Sequence, residues 1–129
     1  MLESTDIMLL RNHFGMNRIA QVGALAALQD QAWLAHVQAE VAMARGVVAE
    51  IALENELKPL VSATNFVTID CCRDAVFAKA VLSGLVSHGV FVRMPFAAPG
   101  NRCIRISAGT SEDLACLRTV LPEVLRDIG

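Results

Sequence analysis

Two arginines stand near the centres of short apolar runs, VFVRM (90–94) and CIRIS (103–107). Side chains alternate between the two faces of a strand, so Arg93 and Arg105 are each predicted to lie opposite an apolar face. The planar guanidinium fork binds carboxylates and phosphates, often through two hydrogen bonds. Spacing alone leaves two interpretations open: an anion-binding sheet face, or two arginines on the solvated face of a half-buried sheet.

Other residue types that do chemistry occur without the neighbours they need. The sequence has no Gly-x-Ser-x-Gly elbow, phosphate loop or dinucleotide fingerprint. Its two lysines, Lys58 and Lys79, are predicted to face solvent, outside any context that would activate an amine. The histidines have no acidic or cysteine partner at ligand spacing, so we predict no metal site. They are His13, His36 and His88.

The cysteines are predicted to be reduced and structural. They show no CxxC or Cys/His ligand spacing, and an adjacent pair such as Cys71-Cys72 rarely forms a disulfide. This pattern favours a cytoplasmic protein in which the cysteines are small, buried, apolar residues. The four are Cys71, Cys72, Cys103 and Cys116.

Composition narrows the class of protein. The 129 residues suit one structural domain, and they are 54% hydrophobic with a mean hydropathy of +0.48. No apolar run approaches the about 20 residues of a membrane-spanning helix, and residues 1–10 lack the basic cluster of a secretory signal. A net charge of −2 without basic runs argues against nucleic acid as a partner. We expect the excess apolar surface to meet another protein surface.

Periodicity and capping residues predict the elements that position the arginines. Asn17 and Asp30 are suitable N-caps, and Gly89 is suited to ending a helix. Helices are predicted over residues 3–11, 18–29, 31–56, 73–87 and 111–126, and strands over 60–62, 65–71, 90–94 and 103–107. The fold class is α+β: two N-terminal helices followed by β-β-α-β-β-α, with helices packed on a small, largely antiparallel sheet.

Four segments in a fixed order carry a family resemblance. They are FGMNRIAQVGALAAL (14–28), SATNFV (62–67), GVFVRMP (89–95) and CIRISAGTSED (103–113). Together they resemble the C-terminal, small-domain part of a pyridoxal-phosphate-dependent aminotransferase of the aspartate aminotransferase fold type, within the histidinol-phosphate aminotransferase group. The resemblance covers the chain from about Arg11 to its end.

The resemblance implies roles for three residues. Arg105 matches the arginine that binds the substrate α-carboxylate, and Arg93 matches the arginine beside the distal group, which is phosphate in histidinol-phosphate enzymes. Asn65 matches a recurrent small-domain residue with a supporting role behind the site. Residues 1–57 would form a helical segment that docks on a large domain or a partner, and residues 58–129 the α/β core.

The family's cofactor apparatus is not found in this sequence. Family members carry pyridoxal phosphate on a large domain that supplies the Schiff-base lysine, and neither lysine here matches that motif. The resemblance therefore implies amino-group transfer between an amino acid, or a histidinol-phosphate-like amine, and a 2-oxo acid. It also implies inactivity of this chain alone and no covalent cofactor on it. The implied partners are a cofactor-binding aminotransferase domain or further copies of the chain, and a small carboxylate or phosphate ligand. The alternative is a stand-alone anion-binding or oligomeric module without catalysis, or a remnant with no function.

Overall fold

The computed structural model describes residues 16–129, so the helical turn predicted over residues 3–11 lies outside the described part of the chain. The chain divides into two compact units, one ending at Val37 and one comprising Gln38–Gly129. None of the described helices is long and apolar enough to cross a membrane.

The first unit contains helix α1 (Arg18–Gln29) and the start of helix α2 (Gln31–Glu54). The Asn17 side chain caps α1 by accepting from the backbone N–H of Ala20 at 2.8 Å. Asp30 Oδ1 accepts from the backbone N–H of Trp33 at 2.9 Å at the start of α2. Both predicted caps are confirmed because each supplies an acceptor to an otherwise unpaired N–H of the first turn.

The second unit is built on an antiparallel sheet of order β1-β2-β3. Its strands are β1 (Lys58–Pro59), β2 (Phe66–Asp70) and β3 (Cys103–Ser107). With the helices around it, this sheet confirms the α+β class.

The first predicted strand, over residues 60–62, is wrong in position. Helix α2 ends at Glu54 rather than at residue 56, and Glu56 turns the chain with a positive φ of 59°. Strand β1 therefore starts at Lys58, two residues before the predicted start. Pro59 is tolerated there because β1 is an edge strand, where a missing N–H breaks no ladder.

The predicted strand over residues 90–94 is reduced to a single antiparallel bridge between Arg93 and Arg105. Toward the N-terminal end, the segment is tied to the end of the preceding helix, because the Val90 N–H is bonded to the Leu85 carbonyl at 2.9 Å. Toward the C-terminal end, the next N–H that would face β3 belongs to position 95, where Pro95 has none to donate. Pairing with β3 therefore remains confined to Arg93.

Two helices complete this unit: α3 (Ala75–Ser87) and α4 (Ser111–Ile128). Asp74 caps α3, and Gly89, with a φ of +80°, follows its end as predicted. Helices α3 and α4 pack closely at Gly84, where an added Cβ would lie 2.5 Å from Val124 Cγ1. The fully buried core side chains come from the last turns of α2, from α3 and α4, and from one sheet face; they include Val48, Ile51, Ile69, Val81, Leu85, Ile104 and Leu121. The packed face of the sheet fixes the backbone beneath the opposite, arginine-bearing face.

Candidate anion-binding site

The backbone joins the two arginines directly. Arg105 N–H donates to the Arg93 carbonyl at 2.6 Å, and Arg93 N–H donates to the Arg105 carbonyl at 3.1 Å. Residues that exchange both hydrogen bonds lie about 5.5 Å apart at Cα, with their side chains on the same face. Arg105 is also the register partner of Thr68, so its backbone is held between two neighbours. The structure thus brings together the two residues that the sequence singled out.

The guanidinium of Arg105 lies over an aromatic ring. Its central carbon is 3.9 Å from the centroid of Phe66 on β2. Phe66 pairs with Ser107, so it is a diagonal neighbour of Arg105 across the ladder, within reach of a long side chain. A cation over a ring gains about 0.5–2 kcal/mol, with the larger value where water is excluded.

One donor of Arg105 is buried without a partner. Its Nε makes no hydrogen bond in the described residues. An unpaired buried donor costs about 1–3 kcal/mol. Arg105 also forms no ion pair with the Asp and Glu side chains of residues 16–129, in contrast to Arg102 and Arg118. Its charge is therefore available to an anion.

Both arginines line an open cleft of about 1030 Å³. Its polar groups are those of Lys79, Arg93, Asn101 and Arg105, and its apolar wall includes Val76, Leu82, Phe91, Met94 and Phe96. Within residues 16–129, no carboxylate lines it. Three cations beside apolar surface suit a ligand that has anionic groups and an apolar body.

A contrasting arginine lies just before β3. Arg102 donates to Asp70, a buried carboxylate that also accepts from the Cys72 N–H at 2.9 Å. Burial alone would raise the pKa of Asp70. The Cys72 N–H and the Arg102 charge outweigh burial and hold that pKa below its usual value. Arg102 is thus a structural cation.

Asn65 lies just before β2 and outside the lining of the cleft. Its carbonyl accepts from the Ala108 N–H at 2.8 Å, which extends the β2–β3 pairing by one bond, and its side chain is exposed. The neighbouring loop is held by Arg45, whose Nη1 donates to the Thr64 carbonyl at 2.8 Å. The supporting role that the resemblance implies for Asn65 remains a prediction.

Sequence reasoning missed two residues of the site, Phe66 and Lys79. Phe66 follows Asn65 in the TNF motif, but its contact with Arg105 depends on the β2–β3 register. Lys79 is exposed, as predicted, and it also lines the cleft because α3 borders the cleft with its outer face.

The cysteines divide into two kinds. Cys71 and Cys103 are buried as predicted, whereas Cys72 and Cys116 are exposed, so the prediction of burial is wrong for these two. Burial, assisted by the neighbouring Cys103, raises the pKa of Cys71 to about 11. Burial likewise raises the pKa of Cys103. Both buried thiols are therefore protonated and unreactive at neutral pH.

Comparison with family models finds no match. The chain is 35% identical over 117 residues to histidinol-phosphate aminotransferase 2 of Gluconobacter oxydans, covering 91% of this chain and 31% of that protein. It is 32% identical over 115 residues to the histidinol-phosphate aminotransferase of Bacillus subtilis, covering 89% of this chain and 31% of that protein. It thus spans about a third of the length of these relatives.

Solved structures give a consistent result. The crystal structure of histidinol-phosphate aminotransferase from Sinorhizobium meliloti, in complex with pyridoxal-5'-phosphate, matches with a TM-score of 0.87 and 48% identity. The match covers 92% of this chain and 33% of that one. A decarboxylase from Sulfurospirillum multivorans, at 23% identity and a TM-score of 0.58, shares the fold alone.

Proposed function

We propose that this chain, which corresponds to the C-terminal part of a histidinol-phosphate aminotransferase, supplies the substrate's anion contacts in such an enzyme. The observation that supports this role is the state of Arg105. Its guanidinium lies at the cleft without a carboxylate partner among the described residues, and its Nε is buried and unpaired. A carboxylate can accept two hydrogen bonds from such a fork.

In this proposal the two arginines divide the substrate between them. Arg105 binds the α-carboxylate, or the group that takes its place, because its position in the ladder is fixed on both sides. Arg93 is more exposed and binds the distal group of an amino acid or the phosphate of a histidinol-phosphate-like amine. Val76, Phe91 and Phe96 supply apolar surface for the substrate body.

The residues of this chain do not fit a covalent pyridoxal phosphate site. Lys58 and Lys79 are both exposed. A lysine amine becomes a nucleophile when a hydrophobic pocket desolvates it or when another cation lies close to it. We therefore assign the cofactor to the remaining part of the enzyme, which is the proposed partner of this chain. Borohydride reduction of the purified chain with pyridoxal phosphate should give no stoichiometric adduct. A specific adduct at either lysine, located by mass spectrometry, would contradict this assignment.

The proposal is tested in a graft. Residues of this chain replace the corresponding third of the Sinorhizobium meliloti enzyme, and turnover of histidinol phosphate is measured. The graft should be active, and a double variant with Arg93→Ala and Arg105→Ala should lose activity while retaining cofactor absorbance. Full activity of the double variant would overturn the proposal.

One observation also favours the alternative of an anion-binding module without catalysis. Every residue that lines the cleft comes from the second unit, within positions 75–105, so anion binding needs no other domain. Titration of the chain alone with inorganic phosphate measures that binding. The two functions differ in whether the chain supports turnover in the graft.

A further inference from the structure

Phe66 has no part in the proposed substrate contacts, yet three observations connect it with Arg105 and the cleft. Its ring lies 3.9 Å below the Arg105 guanidinium, it is half-buried on β2, and it is absent from the lining of the large cleft. A smaller cavity of about 40 Å³ lies between Phe66, Arg93 and Arg105. Phe66 therefore contacts the arginine from the neighbouring strand and does not itself line the cleft.

We propose that Phe66 is a positioning residue that orients the Arg105 guanidinium toward the cleft in place of a counter-ion. This inference rests on the proposed anion role of Arg105. Arg102, by contrast, pairs with the buried carboxylate of Asp70. Such a carboxylate would occupy the donors that a substrate anion needs. A ring face attracts the cation and accepts none of its in-plane hydrogen bonds, so those donors stay available.

The geometry supports an orienting role as well as a stabilising one. The attraction between the guanidinium and the ring face holds the Arg105 side chain close to Phe66, with the central carbon 3.9 Å from the ring centroid. The Arg105 backbone is held on both sides by Thr68 and Arg93, so the remaining freedom lies in the side chain. The Phe66 ring restricts that freedom before a ligand arrives, which lowers the entropy cost of binding.

The chain contains a matched control. Arg73 lies 4.1 Å over the ring of Phe77, in a second stack that does not contribute to the cleft. A change at Phe77 removes the same kind of contact and should leave the anion site unchanged.

The experiment uses the full 129-residue chain labelled with ¹⁵N. The Nε–Hε resonance of Arg105 is identified by its loss in Arg105→Lys, and inorganic phosphate is the probe. In the wild type this Hε should resonate upfield of exposed arginines, because it lies near the face of the Phe66 ring. Phe66→Leu should remove the upfield shift and weaken phosphate binding about 5- to 10-fold. Phe66→Tyr should restore both, and Phe77→Leu should change neither.

The outcomes separate this inference from the proposed function. If Arg105→Ala weakens phosphate binding and Phe66→Leu leaves it at the wild-type value, the positioning role is wrong and the anion site stands. If Arg105→Ala leaves binding unchanged, the proposed function fails, and the inference fails with it. Phe66→Met removes the ring with less change in volume, should Phe66→Leu not fold. Loss of the native amide spectrum in both variants would make Phe66 a core residue and overturn its role.

Discussion

Arg102 and Arg105 lie within one short stretch of chain, yet the fold treats their charges differently. Arg102 pairs with Asp70, a buried carboxylate that also accepts a backbone N–H. Arg105 faces an aromatic ring and an open cleft. The comparison teaches that a counter-ion uses up an arginine's hydrogen-bonding capacity, whereas a ring preserves it. The first arrangement suits stability, and the second suits the anion-binding role proposed for Arg105.

The largest expected effect is on the activity of the graft, where changes at Arg105 and Arg102 should have different results. In the graft, Arg105→Ala should lower kcat/KM by the equivalent of about 2–4 kcal/mol, since it removes a charge-assisted contact to the substrate. Arg105→Lys should recover part of this, because an ammonium lacks the paired fork. Arg102→Ala in the same graft should leave kcat/KM unchanged. Equal losses for Arg102→Ala and Arg105→Ala would erase the distinction.

The next largest expected effect is on stability and concerns the pair of Arg102 and Asp70 instead of Arg105. Asp70→Ala should lower the free energy of unfolding of the chain by about 2 kcal/mol, because it leaves the Cys72 N–H unpaired at a positive φ of 57°. Arg102→Ala should cost about 0.5 kcal/mol, because its side chain is 52% exposed. Urea unfolding measures both. A larger loss for Arg102→Ala than for Asp70→Ala would contradict the central role of the carboxylate.

The same carboxylate predicts an acid dependence. The folded-state pKa of Asp70 is below its unfolded value, so its contribution to stability is complete above about pH 4. The contribution is lost as pH falls through the lower, folded pKa. Asp70→Asn should flatten the decline of the urea midpoint in this range, and an unchanged decline would assign the effect to other groups.

A smaller effect sharpens the division of labour within the cleft. Arg93→Ala should lower kcat/KM by about 1–2 kcal/mol for a phosphate-bearing amine, because this side chain is more exposed than Arg105. It should have little effect on an amino acid with an apolar side chain. Steady-state kinetics on the two substrate types test this. An equal loss for both would assign Arg93 to a shared contact.

The smallest expected effect on stability is that of Arg118, an exposed arginine that pairs with exposed carboxylates. Arg118 on α4 pairs with Glu54 and lies 3.7 Å from Glu50 on α2, with all three side chains largely exposed. Arg118→Ala should change the free energy of unfolding by no more than about 0.5 kcal/mol. Urea unfolding in low and high salt checks this. A loss of stability as large as that of Asp70→Ala would contradict the expectation that exposed ion pairs stabilise the fold less than a buried carboxylate does.

Local chemistry in the sequence was enough to predict most elements. Asn17, Asp30 and Gly89 act within one helical turn of their own position, so their types alone indicated the helix ends. The alternation of CIRIS likewise predicted β3 and the face on which Arg105 lies.

Contacts across the sheet could not be predicted in the same way. Asp70 and Arg102 are 32 positions apart, and Phe66 meets Arg105 only in one pairing register. The 90–94 strand is reduced to one bridge in part because the Val90 N–H ties the segment to the end of α3. Such a tether to a neighbouring element leaves no signature in hydrophobic periodicity.

The reciprocal hydrogen bonds between Arg93 and Arg105 have a consequence for selectivity. They set the distance between the Cα atoms of Arg93 and Arg105 at about 5.5 Å. This distance follows from β-sheet geometry and does not depend on the side chains that surround the cleft. In the proposed site, a ligand with two anionic ends would therefore have to match a fixed interval, to which only the reach of each arginine side chain is added. Substitutions elsewhere in the cleft can change which molecular body fits between the charges. The length of that body changes only with the arginines themselves.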